Sequence, residues 1–152
     1  MEYSHDDAEL VRQPIGYWSW AAHKAVVTYI RAGLAEYGIS QPQWWVLSQL
    51  ADAGDDGRTR EQVFAVLRGY LDVGGALGPE TDALVDRGLV DTGDDGRMRL
   101  TSEGRAVHRT CARRQAAMRE RIHEGVTDEE YLVTLKVLQR MIHNVGGRAW
   151  HH

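Results

Sequence analysis

A single cysteine, Cys111, excludes an internal disulfide framework and fits a reducing compartment. No apolar run approaches the roughly 18 residues that a membrane-spanning helix needs. The opening residues, MEYSHDDAEL, are acidic and lack the apolar stretch of a signal peptide, so a cytoplasmic location is expected. Internal repeats and low-complexity tracts are missing. So are a phosphate-binding glycine loop, a dinucleotide fingerprint and a Ser-His-Asp pattern. His23, His108, His123 and His143 stand apart, with no close metal-ligand spacing such as HExxH. No catalytic constellation is legible, and no cofactor, metal or membrane is expected. Positive charge is scarce as well: a net charge of −4 does not advertise nucleic-acid binding.

What remains is helical punctuation. The 152 residues suffice for one domain with one core. Trp18, Ala22, Val26, Tyr29, Ile30 and Leu34 recur at spacings of three and four, predicting a helix over 14–37. Pro14 suits its first turn, and Gly38 ends it. Residues 1–13 read as polar and loose. Ser40 caps a second helix carrying Trp44, Trp45, Leu47 and Leu50, with Pro42 near its first turn. ADAGDDG (51–57) reads as a loop. Thr59-Arg60-Glu61-Gln62 forms a capping box that opens a third helix with Val63, Phe64, Val66, Leu67, Tyr70 and Leu71.

Gly74, Gly75, Gly78 and Pro79 weaken helix in the stretch that follows. It reads as a short helix over 79–87, or a longer one broken near Gly78, with Gly88 terminating it. Leu89-Val90 and Met98–Leu100 flank TGDDGR, the pattern of a β-hairpin. Thr101-Ser102-Glu103 starts a long helix to about Glu124. A second capping box, Thr127 to Glu130, opens the last one, with Leu132, Leu135, Leu138, Met141, Ile142 and Val145 inward. The chain is therefore mainly α, with five or six helices and one hairpin before the penultimate helix.

Four strings in this order resemble the MarR family of winged-helix regulators, over nearly the whole chain. ISQPQWWVLSQL (39–50) is similar to the family's second helix, and TREQVFAVL (59–67) to the first helix of its helix-turn-helix. DALVDRGLV (82–90) looks like the end of the recognition helix. RMRLTSEGRAV (97–107) looks like the returning strand of a two-stranded wing and the start of the fifth helix. The resemblance implies a single domain and an obligate homodimer, with dimerisation helices at 14–37 and 102–147. It implies a winged helix-turn-helix lobe at 40–100, whose recognition helix enters the major groove of double-stranded DNA and whose wing enters the minor groove. It also implies a small ligand, often aromatic or phenolic, bound between the two regions. Ligand-responsive transcriptional regulation is the function so implied.

Some residues depart from that pattern. DNA affinity comes mainly from neutralised phosphates, and base reading mainly from Arg, Lys, Asn and Gln. Residues 57–105 hold seven arginines against nine carboxylates, a net of −2. VGGALGPETDA (73–83) offers none of the base-reading residue types and is about three residues longer than the usual helix-turn-helix spacing. The wing is short, its tip reduced to Asp95-Gly96-Arg97. Arg58, Arg60, Thr81, Arg97 and Arg99 are the candidate DNA contacts. Arg97 and Arg99 equally suit ordinary exposed strand positions. The alternative function is a scaffold of this family that has lost DNA binding and serves as a small-molecule-binding protein or an enzyme.

Trp18, Trp20, His23, Trp44 and Trp45 are the candidate ligand pocket, because the resemblance places the first two helices at the effector site. Flat rings with a polar N–H suit an aromatic ligand, and His23 can bond its acid or phenol group. Core and dimer-interface filling is the alternative for each ring. Trp18 and Trp20, two apart, cannot share one helix face. His108 and Cys111 share a face, yet two ligands make no zinc site. The peroxide-sensing branch of the family carries its reactive cysteine near the first helix, where this sequence has none. Arg105, Arg109 and Arg113 form a stripe suited either to an anion or to an ordinary solvated face.

Overall fold

The computed structural model describes residues 2–69 and 75–148. Tyr70, Leu71 and Gly74, named above, lie outside the described residues. Asp6 opens a short helix, α1 (Asp7–Leu10), by accepting the Glu9 amide at 2.8 Å. The 1–13 segment is thus partly helical where a loose chain was expected. The turn buries no residue, so its cap alone accounts for it.

Helix α2 (Ile15–Ala35) starts directly after Pro14, which occupies the cap position, and Gly38 beyond its end is left-handed as expected. Only its C-terminal half packs: Leu34 is fully buried, and Ile30 lies against the core. Helix α3 (Gln41–Ala53) opens with a reciprocal capping box in which Ser40 and Gln43 exchange side-chain bonds. Val46, Leu47 and Leu50 bury completely or nearly so, which makes α3 the centre of the core.

Two features of 51–59 differ from expectation. ADAGDDG is not a loop: α3 continues to Ala53, and Gly54–Asp56 form a 3-10 turn. A third strand, β1 (Arg58–Thr59), pairs antiparallel with the returning wing strand, in register Arg58 to Met98 and Thr59 to Arg97. Two residues carry no readable alternation, so pairing alone reveals this strand.

The Thr59–Gln62 box opens α4 (Arg60–Leu67) as predicted. Helix α5 (Leu77–Asp86) begins before Pro79 rather than at it. Proline is tolerated there because first-turn amides have no partner within the helix. Strands β2 (Val90–Thr92) and β3 (Arg97–Leu100) form the hairpin, giving a sheet of order β1-β3-β2. Met98 and Leu100 point into the core, and Arg97 and Arg99 take the opposite face.

Helix α6 (Ser102–Ile122) follows at once, with Thr101 as its cap. The third reciprocal box, Thr127 with Glu130, opens α7 (Asp128–Asn144). The inward face expected of α7 is not realised within this chain. Leu132, Leu135, Met141 and Val145 are exposed, and only Leu138 and Ile142 are half-buried. The apolar side of α7 is turned away from the chain's own core. Among the described residues, no helix is long and apolar enough to cross a membrane. The architecture is a mainly-α winged helix.

Candidate functional site

Two regions of this scaffold hold the candidate residues. The first is the lobe built from α3, α4, α5 and the sheet. Here the arginines are engaged with the protein itself. Arg60 bonds Asp82 of α5 at 2.6 Å and the Gly78 carbonyl at 3.0 Å, and its guanidinium lies 5.2 Å from the Phe64 ring centre. Arg99 bonds Asp95 through both carboxylate oxygens, at 2.6 and 3.1 Å, while its Nε donates to the Asp55 carbonyl at 2.8 Å. This side chain thereby ties the wing tip to the 3-10 turn. Arg99, seconded by the Arg97 amide, holds the Asp95 carboxyl well below the usual carboxylate range. Asp82 is lowered in the same sense by Arg60. Both pairs stay ionised in mild acid.

Arg58 bonds Gln49 of α3, and Arg97 donates to the Gly57 carbonyl at 3.1 Å. Both line a groove of about 620 Å³ that Gln62, Val66 and Asp56 also border. Thr81 requires a correction. It is fully buried, and its hydroxyl donates to the Leu77 carbonyl one turn back at 2.7 Å, so it cannot meet DNA. Pro79, Asp82, Val85 and Asp86 are exposed on α5. None of them is a base-edge donor. The C-terminal end of α5 is fixed by Arg87, which donates to the Gly38 carbonyl at 2.7 Å.

The second region is a cavity of about 590 Å³ where α2, α3, α6 and α7 meet. Val26 and Ile30 supply one wall, and Trp44 and Trp45 another. Arg119 of α6 and His123, just past its end, come from the opposite side with Tyr131 of α7. Arg119 lies 5.4 Å from the Tyr131 ring centre, and the His123 ring 4.5 Å from it. Gln41 also lines it, its Oε1 accepting from Arg31 Nε at 3.0 Å. The cavity thus combines ring walls, amide side chains and one guanidinium. That set suits a flat anion.

The sequence-predicted pocket therefore splits. Trp44 and Trp45 line the cavity; Trp18, Trp20 and His23 do not. Nearly every residue from Ile15 to Ala25 is exposed, Trp20 at 56%. Trp18 meets Tyr17 edge-on at 5.4 Å, and the Lys24 ammonium sits 5.1 Å from the Trp20 ring centre. Arg119, Gln41, His123 and Tyr131 escaped sequence reasoning as pocket residues. The one available signal was a cation of α6 set beside an aromatic at the start of α7. Cys111 is fully buried, and burial pushes its thiol up, away from reactivity. Among the described residues, no three or more His, Cys, Asp or Glu side chains group as a metal site would need.

Neither a family model nor a curated protein matches the sequence. Solved structures do match the fold. The PcaV transcriptional regulator from Streptomyces coelicolor superposes with a TM-score of 0.73 at 23% identity, over 90% of this chain and 100% of that one. CouR from Rhodococcus jostii RHA1, bound to p-coumaroyl-CoA, gives 0.67 at 24%, over 85% and 91%. The Mycobacterium tuberculosis MarR family protein Rv2887, in complex with DNA, gives 0.65 at 19%, over 85% and 98%. The chain has the fold of the MarR-family transcriptional regulators.

Proposed function

We propose that this protein is a homodimeric, ligand-responsive transcriptional regulator, and not an enzyme. The observation that carries the proposal is the position of the 590 Å³ cavity. It lies between α2, α6 and α7 on one side and α3, the core helix of the winged lobe, on the other. A ligand there contacts both parts, and differential contact with two arrangements is what shifts a population. Helices 14–37 and 102–147 would form the dimer, because many apolar residues of α7 and of the N-terminal half of α2 are left exposed within one chain. Residues 40–100 would form the DNA-reading lobe. Rv2887 in complex with DNA supports that use of the fold, and CouR bound to p-coumaroyl-CoA supports a ligand.

DNA contact would then come from Arg58 and Arg97 in their groove, and from Arg60 and Arg99 once released from their carboxylates. The test is an anisotropy titration of the protein's own promoter region at low salt. It requires a species of twice the 17.1 kDa chain mass by sedimentation. Specific binding at micromolar protein or below is expected. Binding no tighter than to random duplex sinks the regulatory reading.

The ligand would be a small aromatic carboxylate, its ring against Trp45 and its charge near Arg119. Quenching of tryptophan emission by such a compound should saturate. Arg119→Gln should weaken it about tenfold, the worth of one charge-assisted bond. The same variant should leave affinity for the matching neutral amide within about twofold. Equal losses for acid and amide would remove Arg119 from the role.

One observation favours a second reading, a ligand-binding protein of this fold without DNA function. Among Pro79, Asp82, Val85 and Asp86, the exposed positions of α5, no side chain donates to a base edge. The same titration separates the two readings, because saturable quenching without promoter binding is the signature of the second.

A further inference from the structure

Where the wing returns into α6, a smaller cleft of about 210 Å³ opens. Leu50, Ala51 and Leu100 form its apolar floor, and Arg105, His108 and Arg109 stand around it. Its lining includes no carboxylate. Arg105 is fixed by a 2.7 Å bond from its Nη1 to the Leu100 carbonyl. Arg109 makes no hydrogen bond or ion pair among the described residues. Two guanidiniums at i and i+4 repel each other along the helix, and an anion between them reverses that cost. The His108 ring stacks on Trp44 at 5.0 Å with 7° between planes. Trp44 also lines the larger cavity, so the stacked pair is a partition between the two spaces.

Burial pushes the His108 imidazole down and Arg109 adds to this, while Asp52 of α3 acts the other way. The site therefore sets an imidazole ring beside two guanidiniums, neither of which forms an ion pair among the described residues. At about 210 Å³ the cleft is below the roughly 300–1,000 Å³ of pockets that hold drug-sized ligands. A compact anion fits that size. We propose that this cleft is a second, separate binding site that takes one small carboxylate or phosphate group between Arg105 and Arg109, against the His108 ring. It stands apart from the regulatory reading, because neither DNA nor the larger cavity is needed for it.

Full-length protein with nitrogen-labelled histidine tests the proposal by NMR. Inorganic phosphate and sodium benzoate are titrated separately, with chloride at matched ionic strength as reference. Saturable movement of the His108 ring signals is expected with at least one probe, and its titration midpoint should rise when the anion is bound. Phosphate saturating alone identifies a phosphate source, and benzoate alone a carboxylate source. Arg109→Gln should weaken the response about tenfold, as loss of one charge-assisted bond does. Arg113→Gln, one turn further on the stripe and outside the cleft, should leave it unchanged. Shifts that never saturate, or that match chloride, overturn the site. So does equal weakening by Arg113→Gln, which would indicate diffuse surface charge. A benzoate response abolished by Arg119→Gln and untouched by Arg109→Gln assigns benzoate to the larger cavity, and with no saturable phosphate response beside it this overturns the site as well.

Discussion

Gly104→Ala should lower the stability of the protein by about 3 kcal/mol, and its melting midpoint by roughly 6–12 °C. Helix propensity taken alone gives the opposite sign, since alanine gains about 1 kcal/mol over glycine inside a helix. Geometry decides against it. A Cβ at Gly104 would stand 1.9 Å from the Leu89 carbonyl oxygen and 2.9 Å from its carbon, both backbone atoms. That backbone is not free to retreat. The Leu89 carbonyl accepts the Thr101 amide at 3.1 Å, and the Thr101 hydroxyl donates to the Gly88 carbonyl at 2.7 Å. Leu89 itself is buried in the core. Either α6 or the start of the wing must move, and the joint between the two regions opens. Thermal unfolding followed by circular dichroism measures the change, and a midpoint equal to or above the parent's would refute the close contact.

That joint shows what the sequence conveys and what it withholds. Caps are local chemistry, so Thr59 with Gln62 and Thr127 with Glu130 were legible from four residues each. Gly38 and Gly88 marked helix ends for an equally local reason, a left-handed backbone that glycine adopts cheaply. Gly104 sits inside a good helical pattern, and only the approach of Leu89 shows why it is glycine. Strand β1 has the same character, because two residues become a strand only when β3 lies beside them. Helix α7 is amphipathic, as its apolar spacing predicts. Whether its apolar face turns toward its own chain is a tertiary fact, and it does not.

The candidate site was legible in residue types and less so in positions. Trp44 and Trp45 diverge on α3, yet both border the cavity, because it is wide enough to reach two faces of one helix end. Trp18, Trp20 and His23 share a stretch of α2 with few neighbours, and no periodicity distinguishes an uncovered half of a helix from a covered one. Counting charges in 57–105 gives a net for the segment and says nothing of the pairing inside it. Arg60 and Asp82 are 22 residues apart, beyond any local rule. Thr81, a candidate DNA contact by sequence, is an inward residue of α5, its hydroxyl bonded to the Leu77 carbonyl one turn back.

The pairing carries the other large effect. Asp82→Asn together with Asp95→Asn should tighten binding to duplex DNA by about a hundredfold at low salt. Each arginine freed to meet a phosphate steepens the log–log salt slope by about 0.9, which at tens of millimolar salt amounts to about tenfold. The parent cannot use these arginines cheaply, because Asp82 and Asp95 already occupy them at 2.6 Å. Asparagine keeps the oxygen that accepts the Arg97 amide at 3.0 Å, so the wing turn is preserved while the charge is lost. Mere reduction of negative charge needs its own control. Asp86→Asn with Asp94→Asn provides it: these exposed neighbours, on α5 and the wing turn, carry no ion pair among the described residues. A control that gains as much as the test variant would reduce the effect to overall charge. No gain in either would show that Arg60 and Arg99 do not face the phosphates. A gain confined to the Asp82 and Asp95 variant, with a slope steeper by nearly 2, would identify these two arginines as phosphate contacts that the parent's own carboxylates hold back.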